Sequence, residues 1–537
     1  MQTDKRAVVS MSTTIAVLAL LWLVMSGNTS YLEIVARKDL VTTPLGPLSA
    51  ISRTAFLLAI AFPLYLFIKT IVFWGETLRA GDAQPFVVAL AVYAVSFFWF
   101  AVLWYNLYPG SMDSDILYTR HMVTTGYFDG WYSWLHPVVI SALTQVSPVL
   151  GGATILSANF IAITIGYITF TFMKNQVPVW VAVICGLTLA LYPLGGLMAI
   201  KPNRDAFFTC FAIYTLLGTW KLLRRGEASK GKIAFLAIVA AVTAYYRTDG
   251  MVIGFGAILA VCVAARHLTV RNRAVIFIAF VVAFGSLSVG LPRLLLTANP
   301  GMGDRSAEYE ATGLLNALAT IVSRPFYVPD PEQAVKDIER LVPIAALRNE
   351  PSFCYTNVLS RGEVRSDPTA EDRAAFRRAA LLIFLNNPGP FLANRFEMFV
   401  QTIGLGGHCG LMGNTSRELM AELGIQEMVG FEPSDWTLRF QDAFQSVLSF
   451  KGITGGRLLF LDYAPFLLIL IIIAFCYPLA PATASIAAIV LLRTLAVALT
   501  APASAVFYYY VLFFAGVLCT GLFIAERKSP SLQLKAR

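Results

Sequence analysis

The stretch His136-Pro-Val-Val-Ile-Ser-Ala-Leu-Thr-Gln-Val-Ser-Pro-Val-Leu150 decides the topology of the chain. It is apolar but short, and a helix that crosses a bilayer needs roughly 17–25 mostly apolar residues. The basic residues elsewhere settle its place. Lys and Arg collect in cytoplasmic loops. Here they cluster at Lys221, Arg224, Arg225, Lys230 and Lys232, at Arg266, Arg271 and Arg273, and at Arg527, Lys528, Lys535 and Arg537. If 137–150 crossed, the 221–232 cluster would lie on the side opposite Lys5 and Arg6. If it lies in the interface or re-enters, every cluster falls on one side. About twelve spans follow, near 8–27, 54–74, 86–106, 151–173, 178–198, 205–223, 231–246, 250–265, 274–292, 457–477, 482–500 and 505–525, with both termini cytoplasmic. The first follows Lys5 and Arg6 with no small-residue cleavage site behind it, the pattern of a retained signal-anchor.

Composition points the same way. Of 537 residues, 57% are hydrophobic and 14% charged, and the mean hydropathy is +0.67. Soluble domains carry about 25% charged residues. A soluble core of this size would lack the polar groups to cover its surface. Disordered, collagen-like and disulfide-rich classes are excluded on the same grounds. The expected fold is an all-α polytopic integral membrane protein. Its net charge of +9 sets orientation and does not point to nucleic acid.

This topology divides the chain into an N-terminal transmembrane module, 1–292, an external region, 293–456, and C-terminal transmembrane helices with a cytoplasmic tail, 457–537. The external region carries Asp304, Arg305, Glu308, Glu310, Asp330, Glu332, Asp367 and Arg373, and is the stretch long enough for an extramembrane domain. No internal repeat is visible, which argues against many transporter folds.

Four external or intramembrane features carry candidate chemistry. The loop 107–150 reads Tyr108-Pro-Gly-Ser-Met-Asp113-Ser-Asp115, then Trp131-Tyr132-Ser-Trp134-Leu-His136-Pro137. Pro109-Gly110 ends a span and makes a turn. The aromatics anchor at the membrane interface and hold Asp113 and Asp115 near the headgroups. A partly desolvated carboxylate there can act as a general base; the plainer reading is an aspartate capping a short helix. Lys201-Pro-Asn-Arg204-Asp205 lies at the outer end of a span, and Tyr245-Tyr246-Arg247-Thr248-Asp249-Gly250 joins two short ones. A span of sixteen residues covers about 24 Å against a hydrocarbon core of about 30 Å, so the Arg247 turn is expected at or below the outer headgroups. It is placed for a lipid-linked phosphate, or for an ion pair with Asp249 that closes the turn. Arg493 lies within a span and must face the protein interior or a wet cavity, as a phosphate ligand or paired with an acid such as Asp462. There is no Walker A loop, dinucleotide fingerprint, HExxH or zinc-spaced Cys/His cluster, so no nucleotide cofactor is expected.

Tyr108-Pro-Gly, four residues, Asp115, then an aromatic stretch ending in His136-Pro137 resembles the GT-C superfamily of polytopic glycosyltransferases, akin to lipid A aminoarabinose transferases and protein O-mannosyltransferases. Lys201 to Asp205 with Phe207-Phe208 is similar to a Lys-Asp-aromatic step at the start of a later helix of that family. Asn386-Asn387-Pro388 with Phe391 and Arg395 is similar to a stretch near the end of its external region. The resemblance implies a GT-C-like fold with interfacial helices in the first external loop and a mainly α external region. It implies a polyprenyl-phosphate sugar as donor and Asp115 as catalytic residue, with Asp113 in the alternative register. Some relatives use a divalent metal and others do not.

The expected function is transfer of a sugar from that carrier to a cell-envelope glycan, lipid or protein on the outer face of a bacterial cytoplasmic membrane. The leaving phosphate needs positive charge where negative charge develops, and Lys201, Arg204, Arg247 and Arg493 are the candidates. Tyr108, Trp134 and His136 are candidate acceptor or interface residues. The rivals are a transporter or lipid-linked sugar flippase, a polysaccharide polymerase or ligase of another fold, and a non-catalytic assembly protein. Of seven cysteines, Cys354 and Cys409 lie in the external region, where an oxidising compartment would let them pair. A loop of about 55 residues would then be closed, worth roughly 4 kcal/mol by chain entropy. The alternative is two separate thiols.

Overall fold

The computed structural model describes residues 11–19, 83–107, 110, 115–116, 118–119, 122, 133–146, 150–224, 230–265, 268–298, 306–348, 363–365, 368–405, 435–448, 462–501 and 506–528. All regular structure among them is helical. In chain order the longer helices are α1 Gln84–Asn106, α2 Leu135–Val146, α3 Leu150–Lys174, α4 Val179–Leu191, α5 Pro193–Ala199, α6 Arg204–Arg224, α7 Lys230–Tyr246, α8 Gly250–Ala264, α9 Val270–Gly285, α10 Leu291–Ala298, α11 Ser306–Val322, α12 Pro331–Glu339, α13 Ile344–Arg348, α14 Ala370–Asn386, α15 Pro388–Thr402, α16 Asp435–Leu448, α17 Ala464–Phe475, α18 Pro481–Thr500 and α19 Tyr510–Arg527.

Six helices among the described residues are long and apolar enough to cross a membrane: Gln84–Asn106, Gly151–Lys174, Arg204–Arg224, Val270–Thr297, Pro481–Thr500 and Phe507–Arg527. The chain is a multi-pass membrane protein. A seventh expected span, 178–198, is broken into α4 and α5, which meet at 64°. Pro193 causes the break: it lacks an N–H to continue the ladder and pushes Tyr192 into extended backbone, φ −60° and ψ 120°. The expected spans at 231–246, 250–265 and 457–477 are shorter apolar helices, α7, α8 and α17. The first two expected spans lie almost wholly outside the described residues, where the structure covers only 11–19 of them. Outward-facing side chains such as Phe98, Phe277 and Val282 give the bundle an apolar periphery.

The helix ends sort into two groups. At one end, Arg224 donates to Asn175 Oδ1 at 3.1 Å and to the Ala525 carbonyl at 3.2 Å. There the Glu526 carboxylate accepts from the Ala482 and Thr483 amides at 3.0 and 2.9 Å, which satisfies the first turn of α18. The opposite end holds the loops read from sequence as external. α2, at twelve residues, is about 18 Å long and too short to cross.

The 293–456 stretch is not uniform. Leu315, Leu318, Ile338, Leu341, Phe376 and Ile383 form a separate apolar core among α11, α12, α13 and α14. α16 does not join it. Phe444 is buried in the core of the spanning helices, and Gln441 donates to the Asn106 carbonyl at 2.7 Å. α10 packs Leu295 against Met122, Trp134 and Val138 of the first loop. α15 ties the two cores together. Buried Arg395 donates to the Ala501 carbonyl past the end of α18 at 2.7 Å and to the Gly313 carbonyl of α11 at 3.3 Å. Burial draws its pKa down from 12.5 to about 10, so it stays charged.

The α7–α8 hairpin is set by close backbone approach. A Cβ on Gly254 would collide with the Ala240 carbonyl oxygen and with Ala244 Cβ. Gly254→Val is expected to overpack this contact, at a cost of about 1–3 kcal/mol. The check is a lowered thermal midpoint of the purified protein in detergent; an unchanged midpoint would mean the hairpin adjusts freely.

Candidate functional site

Asn203 starts the site. Its side-chain oxygen accepts from the amides of Asp205 and Ala206, both at 3.2 Å, and so caps α6. The cap places Arg204 and Asp205 in the first turn of the helix, with Lys201 just before it. All three are buried.

The turn between α7 and α8 meets them from the side. Arg247 bridges two carboxylates, Asp205 and Asp249, the latter through Nε at 2.7 Å. Asp249 also pairs with Arg493 of α18, whose other amino group donates to the Tyr508 carbonyl. Arg493 is seven residues short of Thr500, about 10 Å below the end of its helix. The Arg247–Asp249 turn must therefore lie that deep. The lengths of its helices agree, since α7 has 17 residues and α8 has 15, about 26 and 22 Å.

Aromatic rings separate the cations. Phe208 lies under both Arg247 and Arg493, at 5.7 and 5.4 Å from ring centre to guanidinium carbon. Tyr508 lies 5.1 Å from Arg247, and Phe507 lies 5.0 Å from the Lys201 ammonium. Such contacts offset part of the desolvation of each charge. The 506–509 turn thus links Lys201 to the Arg247–Arg493 group.

Burial pushes the Asp249 carboxyl up, but the charges of Arg247 and then Arg493 outweigh it and hold it well below the ordinary carboxylate range. Folding therefore gains from the ionised form above the unfolded value of about 3.8 and loses that gain as pH falls through the folded pKa. His136 behaves oppositely. Burial, then the charge of nearby Arg204, lowers its pKa from 6.5 to about 3. Its ring is 2.9 Å from the Tyr246 hydroxyl and is neutral at neutral pH.

The first loop reaches the same end of the bundle. Gly110 has φ +128°, where a side chain is strained, and a Cβ there would strike Thr154 and the carbonyl of Ile200, next to Lys201. The Ser133 hydroxyl donates to the Tyr246 carbonyl at 3.3 Å. Asp115 is half-buried and opens a helical turn in which Thr119 Oγ1 donates to its carbonyl at 2.9 Å. Trp134 is buried in a cluster with Met122 and Leu295, and His136 is buried beside Phe207 and Tyr246. Asp113, Tyr108, Cys354 and Cys409 lie outside the described residues.

The structure thus brings Lys201, Arg204, Arg247 and Arg493 to one end, and it answers two questions the sequence left open. The Arg247–Asp249 pair is formed, and the carboxylate partner of Arg493 is Asp249 in place of Asp462. Asp205, Phe208 and Tyr508 were missed as members of the group. The signal for Asp205 was the scarcity of acids at span ends, because buried cations demand nearby anions; Phe208 and Tyr508 had no such signal. Among the described residues no group of three His, Cys, Asp or Glu side chains is arranged to hold a metal. No protein-family model, curated protein or solved structure matches the chain.

Removing a partner from a buried pair leaves a charge uncompensated, at a cost of about 3–5 kcal/mol. Asp249→Asn is expected to lower the thermal midpoint equally at pH 5 and pH 8. The gap to wild type should close only as pH falls through the depressed pKa of Asp249. Thermal unfolding across pH checks this, and an unchanged midpoint at pH 7 would remove Asp249 from the network.

Proposed function

We propose that the protein is a GT-C-like glycosyltransferase of about twelve spans that takes a sugar from a polyprenyl-phosphate carrier. Its acceptor is a glycan, lipid or protein at the outer face of a bacterial cytoplasmic membrane. The observation that carries this reading is the buried group of Lys201, Arg204, Arg247 and Arg493, gathered at the end of the bundle where the first loop packs. Positive charge at that depth suits a phosphate whose lipid tail lies in the bilayer.

In this reaction the acceptor hydroxyl attacks the anomeric carbon and Asp115 takes its proton. The bond from the anomeric carbon to the phosphate oxygen breaks, and the electron pair leaves with the lipid phosphate. The transition state has oxocarbenium character, and one direct displacement inverts the anomeric centre. The lipid phosphate leaves readily, so the demand on the protein is electrostatic. Arg247 and Arg493 are preset by Asp205 and Asp249, which fixes their geometry before the carrier arrives. The Lys201 ammonium, held over the Phe507 ring, adds charge from the α6 side.

Asp115→Asn is expected to reduce transfer by about 10²–10⁴-fold, the usual worth of a general base, with donor binding near normal. Asp113→Asn should be milder; the reverse order would move the base by two positions. Lys201→Ala should weaken lipid-phosphate binding in a titration of the purified protein. Turnover in detergent, without a sealed membrane, separates this reading from a flippase. Wild-type protein that binds the carrier but never transfers would overturn it.

A further inference from the structure

The first loop meets the guanidinium network at Tyr246. This residue ends α7 and precedes Arg247. It is fully buried and makes two hydrogen bonds to the segment that opens α2. Its carbonyl, one of those a helix end leaves without a partner, accepts from the Ser133 hydroxyl at 3.3 Å. Its hydroxyl shares a hydrogen bond with His136 Nδ1 at 2.9 Å, and its ring stands edge-on to the imidazole at 5.7 Å. Phe207 of α6 lies 6.4 Å from the same imidazole, and the next residue, Phe208, is the ring beneath Arg247 and Arg493.

The backbone beside this contact is constrained. Ser133 has φ +108°, a conformation that a residue with a side chain rarely adopts and that persists only where its surroundings hold it. Its hydroxyl is fixed to the Tyr246 carbonyl, and the next side chain, Trp134, is buried with Met122, Val138 and Leu295. The same cluster reaches toward Asp115. Tyr118 packs against it and Met122 belongs to it, three and seven residues beyond Asp115. Thr119 Oγ1 donates to the Asp115 carbonyl within that turn. Contacts thus run from the Asp115 turn through Met122, Trp134 and His136 to Tyr246, and one peptide bond leads on to Arg247. Packing alone needs only the Tyr246 ring, which also meets Phe211 at 5.4 Å. It does not need a hydroxyl and a carbonyl that are both bonded to the loop carrying Asp115.

We infer that Tyr246 is a positioning residue, which holds the Asp115 turn in register with Arg247 so that the base and the phosphate-binding guanidiniums keep one spacing. The inference rests on the proposed sugar transfer, whose base and donor phosphate it relates. His136 then sets the place of the loop and does not touch the acceptor. Spacing matters because a misplacement of about 1 Å at a reacting centre costs on the order of 10²-fold in rate.

The test treats the full chain, purified in detergent, with a carbodiimide and glycine ethyl ester. Coupling at Asp115 is followed by mass spectrometry with and without undecaprenyl phosphate. Three proteins are compared: wild type; Tyr246→Phe, which keeps the ring and the carbonyl; and His136→Asn, whose side-chain amide can stand where Nδ1 stands. Undecaprenyl phosphate should slow coupling at Asp115 in wild type. Tyr246→Phe should bind the lipid with unchanged affinity and lose most of that slowing, because one lost buried hydrogen bond shifts the opening of the loop by about tenfold. His136→Asn should keep the slowing. Equal slowing in wild type and Tyr246→Phe would overturn the positioning role and leave sugar transfer standing. Weaker lipid binding by Tyr246→Phe would also overturn it, by making Tyr246 part of the phosphate site. So would wild-type protein that binds the lipid with no slowing at Asp115. Wild-type protein that does not bind undecaprenyl phosphate would sink the role together with the reading it rests on.

Discussion

Asp249 lies between Arg247 and Arg493 inside an apolar bundle, and each element near the site is placed by that contact. A guanidinium in the middle of a span is tolerated only where a partner meets it. The partner here is carried on a hairpin whose two helices are too short to reach the bilayer surface. Short helices, a recessed turn and a mid-span arginine are thus one arrangement. Arg247 extends it to Asp205 and hence to α6, while Arg493 extends it to the backbone of Tyr508 and hence to α19. The four charges balance, two of each sign. Pairs of this kind add little net stability over a well-packed apolar core. What they provide is fixed geometry at a depth where water does not compete.

The transmembrane character was legible because a bilayer imposes length and hydrophobicity on any helix that crosses it. The recess of the Arg247 turn was legible for the same reason, from the length of its flanking helices. The partner of Arg493 was not. Asp462 and Asp249 both lie at helix ends in the chain, and the tertiary packing that brings the α7–α8 turn against α18 is not written in either local sequence. Nor was the role of α16 legible, since an amphipathic pattern shows that a helix buries one face but not against which core. The break at Tyr192-Pro193 was visible as a dipeptide and was read through, because the apolar run around it is long enough to span. What the break achieves is tertiary: the Tyr192 hydroxyl reaches the Asp462 carbonyl at 2.6 Å, and the Tyr510 hydroxyl reaches the Gly195 carbonyl at 3.2 Å.

Two histories meet in α15. Its buried side chains serve the spanning helices through Arg395 and the separate core of α11–α14 through Asn394, which donates to Thr320 Oγ1 of α11 at 2.8 Å. A guanidinium bonded to two carbonyls, with no carboxylate among the described residues, is an unusual fastener. A pKa of about 10 leaves it protonated throughout the neutral range.

The separation of Asp249 and Arg493 along the chain, 244 residues, has a consequence for biosynthesis. At about 5–20 residues per second, roughly 12 to 50 s pass between the synthesis of the two. For that interval Asp249 has one of its two guanidinium partners, Arg247, and lacks the other. The ion-pair network therefore stays incomplete while the chain between the two residues is made. Arg493 then enters as the counter-charge, so that insertion of α18 is drawn by a partner already in place.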